Sequence, residues 1–214
     1  PNFDEGTAYW TGAPTVNNSA AEKYNCTFNV YQKVTGLKPG SYLLRCQGFY
    51  RNGGYAAAAS AKSEGKEKLL ATLYATTSKE KVSTPLLSIF EEAGKVGTVG
   101  VSQQPYGYIP NSMSEAAFYF LAGCYPNELT LTVPEDGEVT VGIEKSTAVS
   151  SDWTIFDTFS LTYLGDPSAI KSPLKEASAT RPFATADTYT ISGTRVSNAN
   201  RRGVYIVNGK KMVK

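Results

Sequence analysis

The sequence contains no histidine. That removes the Ser-His-Asp and Cys-His nucleophile systems and most zinc sites, which depend on imidazole as base or ligand. Cysteine is scarce. Cys26, Cys46 and Cys124 show no Cys-x-x-Cys spacing, and an odd number cannot close a complete disulfide framework. They read as small hydrophobes of a core. No apolar run approaches membrane-spanning length. Neither a dinucleotide fingerprint, nor a phosphate loop, nor a His-Glu-x-x-His helix occurs. Glycoside hydrolysis needs two facing carboxylates. Glu115, Glu144, Asp152 and Asp157 are available, but none sits in a motif that pairs it with another. The expectation is therefore a non-enzyme, with no catalytic residue assigned.

What is present is ordinary globular material. Of 214 residues, 41% are hydrophobic and 19% charged, enough for a sizeable core. The net charge of +2 is unevenly spread. Residues 1–165 hold 12 Lys and Arg against 16 Asp and Glu, whereas residues 166–214 hold 9 against 3. An acidic body with a basic tail is two kinds of segment, not one nucleic-acid-binding face. The chain starts at Pro1 rather than Met, as removal of an export signal would leave it.

Residues 1–165 read as short strands separated by turn residues. Cys26, Phe28 and Val30 alternate with polar neighbours, T-G-L-K-P-G turns the chain, and Tyr42, Leu44 and Cys46 resume the alternation. This predicts a hairpin with one buried face. Leu129, Leu131 and Val133, the turn P-E-D-G, then Val139, Val141 and Ile143 predict a second. Leu69–Ala75 and Trp153–Leu164 predict further strands. Ser112 and Glu115 have capping-box spacing ahead of Ala116 and Phe118, which predicts a short helix ending near Gly123. Pro85–Ala93 reads as a second helical turn. Residues 51–67 and 95–111 read as long surface loops. Many short strands with scarce helix predict an all-β fold, an antiparallel β-sandwich of jelly-roll type with one or two short helices. Residues 166–186 carry Pro167, Pro173 and Pro182 without apolar period and read as a linker. In 187–214, Asn208-Gly209 between alternating segments predicts a small β-hairpin tail.

Three marks carry a family resemblance. P-N-F-D-E-G-T-A-Y-W at the start, G-L-K-P-G-S-Y-L-L, and I-F-D-T-F-S-L near the end of the body resemble the opening strand, a hairpin and the closing strand of galactose-binding-like jelly rolls. With Y-I-P-N-S-M-S-E-A and D-W-T-I-F-D, the string resembles carbohydrate-binding modules of exported Bacteroidetes proteins. The tail is similar to, but shorter than, the C-terminal sorting domains of such proteins. The resemblance implies a secreted or cell-surface module that binds a polysaccharide or oligosaccharide. The tail, too small to hold a core alone, is expected to dock on the body, dock on a partner such as the cell envelope, or serve as a tag read by other machinery. It also implies a structural calcium ion shared by Asp4 and Asp157, Asp4 standing where Glu is usual. The alternative is that Asp157 accepts backbone or tyrosine hydrogen bonds without metal.

A sugar site needs flat rings for pyranose C–H faces and short polar groups for hydroxyls. Aromatics make up 12% of the chain, and 14 of them are Tyr, apolar in the ring and polar at the tip. The expected ligand-binding set is Tyr106, Tyr108, Trp153, Tyr55, Arg51, Asn52, Asn111 and Asp152, all at strand ends or in loops. The competing readings place Trp153 as a plug against Trp10, and Tyr108 with Ile109 as a loop anchor. A structural or adhesion module without sugar binding is the alternative function.

Overall fold

The computed structural model describes Phe3, residues 6–166 and, as backbone strands, 188–190, 195–196, 204–207 and 210–213. The chain divides into two compact units, Pro1–Lys171 and Ser172–Lys214. In chain order the first unit contains β1 (Thr15–Asn17), β2 (Ala20–Tyr24), β3 (Phe28–Val34), β4 (Gly40–Arg51), α1 (Tyr55–Ser63), β5 (Thr72–Thr76), β6 (Lys81–Pro85) and β7 (Leu87–Ser88). It continues with β8 (Val101–Gln103), β9 (Gly107–Ile109), α2 (Met113–Leu121), β10 (Pro126–Val133), β11 (Val139–Lys145) and β12 (Trp153–Gly165).

The expected all-β antiparallel sandwich is what forms. The larger sheet runs β1-β2-β12-β4-β10, with β7 added parallel to β4, and the smaller runs β3-β11-β5-β6. Side chains from both sheets fill the space between them: Leu44 and Cys46 from β4 and Phe156 from β12 meet Val30, Leu73, Val141 and Ile143. Cys26, Cys46 and Cys124 are free thiols, and the last two are buried. Burial raises the Cys46 thiol far above its usual range, with nearby Asp157 adding to the effect.

The two expected hairpins are not hairpins. β3 pairs with β11, and β4 pairs with β12 and β10, so T-G-L-K-P-G carries the chain from one sheet to the other. P-E-D-G does the same between β10 and β11. Alternation shows that one face of each strand is buried. It does not say whether the following strand pairs beside it or stacks across the core. The two crossovers lie side by side: Leu37 N–H donates to the Gly137 carbonyl at 3.0 Å. Gly137 has φ +66°, and a Cβ there would stand 2.6 Å from the Leu37 carbonyl oxygen, so the contact requires glycine.

The outer face of the larger sheet carries a second core. Phe49, Ile155 and Trp153 pack there beneath α1, α2 and the segment between β7 and β9, through Ala58, Ile89, Ile109, Ala116 and Tyr119. Residues 48–51 of β4 and 153–156 of β12 are accordingly buried on both faces, and alternation stops there. Three further expectations are corrected at this layer. The loop expected over 51–67 contains helix α1, because Ala58 and Ala59 find an apolar sheet to pack on. The turn expected over Pro85–Ala93 starts only at Ile89, because Pro85 ends β6 and Leu87–Ser88 form strand β7, held by β4. The loop expected over 95–111 contains the β8–β9 hairpin. Helix α2 follows the capping expectation: the Ser112 hydroxyl accepts from Glu115 N–H at 3.3 Å, and Gly123 follows the C-terminus at φ +78°.

In the second unit β13 (Thr188–Thr190), β14 (Arg195–Val196), β15 (Val204–Val207) and β16 (Lys210–Val213) form an antiparallel sheet ordered β14-β13-β15-β16. Val207 stands opposite Lys210. The linker expected over 166–186, beyond Asp166, and the side chains behind the docking role expected of the tail lie outside the described residues.

Candidate functional site

Strand register assembles the site. Tyr24 of β2 pairs with Trp153 of β12, and Trp153 pairs with Arg51 of β4. Directly paired residues of antiparallel strands point to the same face. The three side chains therefore form one row across three strands, on the outer face. The next row inward is Glu22, Ile155 and Phe49. Helix α2 lies over that second row, and its N-cap end borders the first. A cleft of about 390 Å³ results, lined by Glu22, Tyr24, Arg51, Asn111, Ser112 and Trp153.

The lining is held from several sides. Trp153 is 4% exposed. Its indole N–H donates to Glu22 Oε1 at 2.5 Å, and its ring meets Phe49 edge-on at 5.3 Å. The Arg51 guanidinium lies 5.2 Å from the Trp153 ring and donates to three oxygens. Nε reaches the Gly53 carbonyl and Nη1 the Asn111 side-chain oxygen, each at 2.9 Å, and Nη2 the Ser151 carbonyl at 3.4 Å. Burial lowers the Arg51 pKa from its ordinary value, against the pull of Tyr24, Asp152 and Tyr55 nearby. Asn111 N–H donates to Glu115 Oε2 at 2.7 Å, so the capping box of α2 also sets the position of Asn111. Tyr24 is the exposed ring of the row, at 52%.

Of the residues expected from sequence, Arg51, Asn111 and Trp153 come together here. Tyr55 begins α1 and is 40% exposed, within electrostatic reach of Arg51 but off the cleft lining. Asp152 faces inward: it is 1% exposed, ion-paired with buried Lys145, and accepts from the Tyr50 hydroxyl at 3.0 Å. Burial, then the bond to Asp152, raises the Tyr50 phenol far above its usual range. Asn52 accepts from that same hydroxyl at 3.4 Å. Asp152 and Asn52 thus brace the strand ends behind the cleft. Tyr106 packs on Phe90 at 4.8 Å, and the Tyr108 carbonyl accepts from the Tyr119 hydroxyl at 2.7 Å; both belong to the outer layer away from the cleft. Trp10 packs on Phe3 and Phe159 rather than on Trp153.

Glu22, Tyr24 and Ser112 were not expected in a site. Ser112 was visible only as a cap. Residues 20–24 carry no strong alternation, and what makes Tyr24 matter is its pairing with Trp153, a residue 129 positions further along the chain.

The strand that carries Trp153 also carries Asp157, on the same face and paired with Gln47. A β-bulge follows, with Thr158 at φ 54°. Asp157 is half-buried and accepts from Phe3 N–H at 3.3 Å and from the Thr158 hydroxyl at 3.2 Å. It lines a second cavity, of about 440 Å³, with Asn18, Gln47, Phe120 and Leu121. The two cavities flank opposite ends of α2. Nine helical residues span roughly 13 Å, and so do the four steps of strand from Trp153 to Asp157 at about 3.3 Å each. Among the described residues no three His, Cys, Asp or Glu side chains gather in a metal-holding group. Asp4 lies outside the described residues.

No protein-family model matches this chain, and no curated protein sequence matches it. Among solved structures the chain is similar to TmCBM61 in complex with beta-1,4-galactotriose, at 12% identity over 76% of this chain and 94% of that one, with a TM-score of 0.43. No helix among the described residues is long and apolar enough to cross a membrane.

Proposed function

We propose that this chain is a non-catalytic carbohydrate-binding module of an exported or cell-surface protein, and that it holds a glycan in the cleft at the N-cap end of α2. The observation that carries this is the row Tyr24, Trp153, Arg51 with Glu22 and Asn111 beside it. Tyr24 supplies a ring with an open face for a pyranose C–H surface. Glu22 supplies an acceptor for hydroxyls, and Arg51 and Asn111 supply donors. Trp153 acts from beneath, as the floor that fixes Arg51 and Glu22, rather than as the stacking platform. Glu22 is the one carboxylate in the lining, where glycoside hydrolysis uses a pair. A protein-docking module calls for a flat apolar patch; the concave, hydrogen-bonding lining supports the sugar reading over it.

The test is a glycan array probed with the full chain and with Tyr24→Ala. Tyr24 is exposed, so its loss leaves the fold intact. Binding to a subset of glycans, weakened about tenfold or more by Tyr24→Ala, is the expected result. Silence of the folded chain across a broad panel overturns the proposal.

A calcium ion held by Asp4 and Asp157 is a separate proposal. Its support is the half-buried Asp157 carboxylate at a bulge, where it accepts from Phe3 N–H.

A further inference from the structure

Arg51 is 6% exposed and forms no ion pair within 4 Å among the described residues. Its three hydrogen bonds end on neutral oxygens, of Gly53, Asn111 and Ser151. A guanidinium carries five N–H donors. One donor on each of Nη1 and Nη2 therefore remains unspent, on the wall of a cleft. A buried charge is costly unless paired, and the nearest buried carboxylate, Asp152, is already held by Lys145 and Tyr50. The two remaining N–H groups, one on each terminal nitrogen, match the two oxygens of a carboxylate.

We infer that the sugar held in this cleft is a uronic acid, its carboxylate received by Arg51 and its hydroxyls by Glu22. This rests on the sugar-binding reading and names the class of sugar. Glu22 argues for a sugar acid over a bare anion. Its carboxylate, oriented by the Trp153 indole, would repel a simple anion but accepts hydroxyl donors, and a uronic acid offers both kinds of group. Tyr24 supplies the face on which the ring lies.

The test uses an array of matched pairs, each uronic-acid oligosaccharide beside its methyl ester, with neutral and sulfated glycans included. The full chain is expected to bind acidic members about tenfold tighter than their esters. The preference is expected to shrink between about 50 mM and about 500 mM NaCl, as ionic contacts do. Arg51→Gln should equalise acid and ester, and Arg51→Lys should keep part of the preference, each with its fold checked by circular dichroism. Equal or tighter binding of esters or neutral glycans overturns the inference while leaving sugar binding standing. A preference for sulfated glycans alone overturns the carboxylate assignment. A preference that survives Arg51→Gln removes Arg51 from it. Silence across the whole array overturns both readings. Should Arg51→Gln fail to fold, the acid-to-ester ratio and its salt dependence in the unaltered chain decide.

Discussion

Lys145 and Asp152 are both 1% exposed and paired. The pair joins the end of β11 in the smaller sheet to the residue just before β12 in the larger, immediately behind Trp153. Taking either partner away leaves an uncompensated buried charge. Lys145→Met or Asp152→Ala alone is expected to cost about 3–5 kcal/mol, and Lys145→Met with Asp152→Leu to recover most of that loss. Urea denaturation of the three variants checks it, and a double variant no more stable than the singles sinks the argument. Residue type alone marked Asp152 as polar and near a tryptophan, which is as true of a brace as of a ligand contact. Which one it is depends on the direction of one side chain at a strand end. That direction comes from Lys145 on the other sheet, not from neighbours in sequence.

At the scale of elements, β12 poses the sharpest question: why a carboxylate sits in the row of Ile155. A bulge resolves it. Register shifts between Asp157 and Ser160, so that Phe156 and Phe159, three apart, both reach the inner core. Strict alternation cannot place both inside. Thr158 absorbs the extra residue at φ 54°, a conformation costly for a β-branched side chain. Thr158→Gly is therefore expected to stabilise the protein by about 0.5–1 kcal/mol, visible as a raised thermal midpoint; a lowered midpoint would mean the Thr158 hydroxyl bond to Asp157 outweighs the strain. Helix α2 was legible because caps are local chemistry, complete within Ser112 to Glu115. Helix α1 was not. Its alanine run is helix-prone, but Gly65 and the position between strands favour a loop. A nine-residue helix is marginal by itself, and packing of Ala58 and Ala59 on the outer face of the sheet secures it.

For the whole molecule, the first unit holds two apolar cores of its own, drawn from Phe3 through Tyr163. Residues 1–171 alone are expected to unfold in one cooperative transition at the midpoint this unit shows in the full chain. Calorimetry of both proteins checks this, and a fragment that melts without cooperativity refutes it. The proposed calcium ion would tie the opening residues to the last strand of this unit. Metal-free protein should then melt higher when calcium is added, by the linkage of a ligand that binds only the folded state, and a chelator should reverse the gain. A midpoint indifferent to both removes the site.

The sequence alone determined the class of fold, because alternation of apolar and polar residues reports one-sided burial strand by strand. It also determined the cap of α2, because that chemistry closes within four residues. Arg51, Asn111 and Trp153 were within its reach as polar and aromatic groups at predicted strand ends. Tertiary structure decided the rest. Which strands pair and which cross the core, the inward turn of Asp152, and the meeting of Tyr24 and Glu22 with Trp153 depend on register between distant strands. Register is set by the packing of two sheets and an outer helix layer at once, and no local stretch of the chain contains that information.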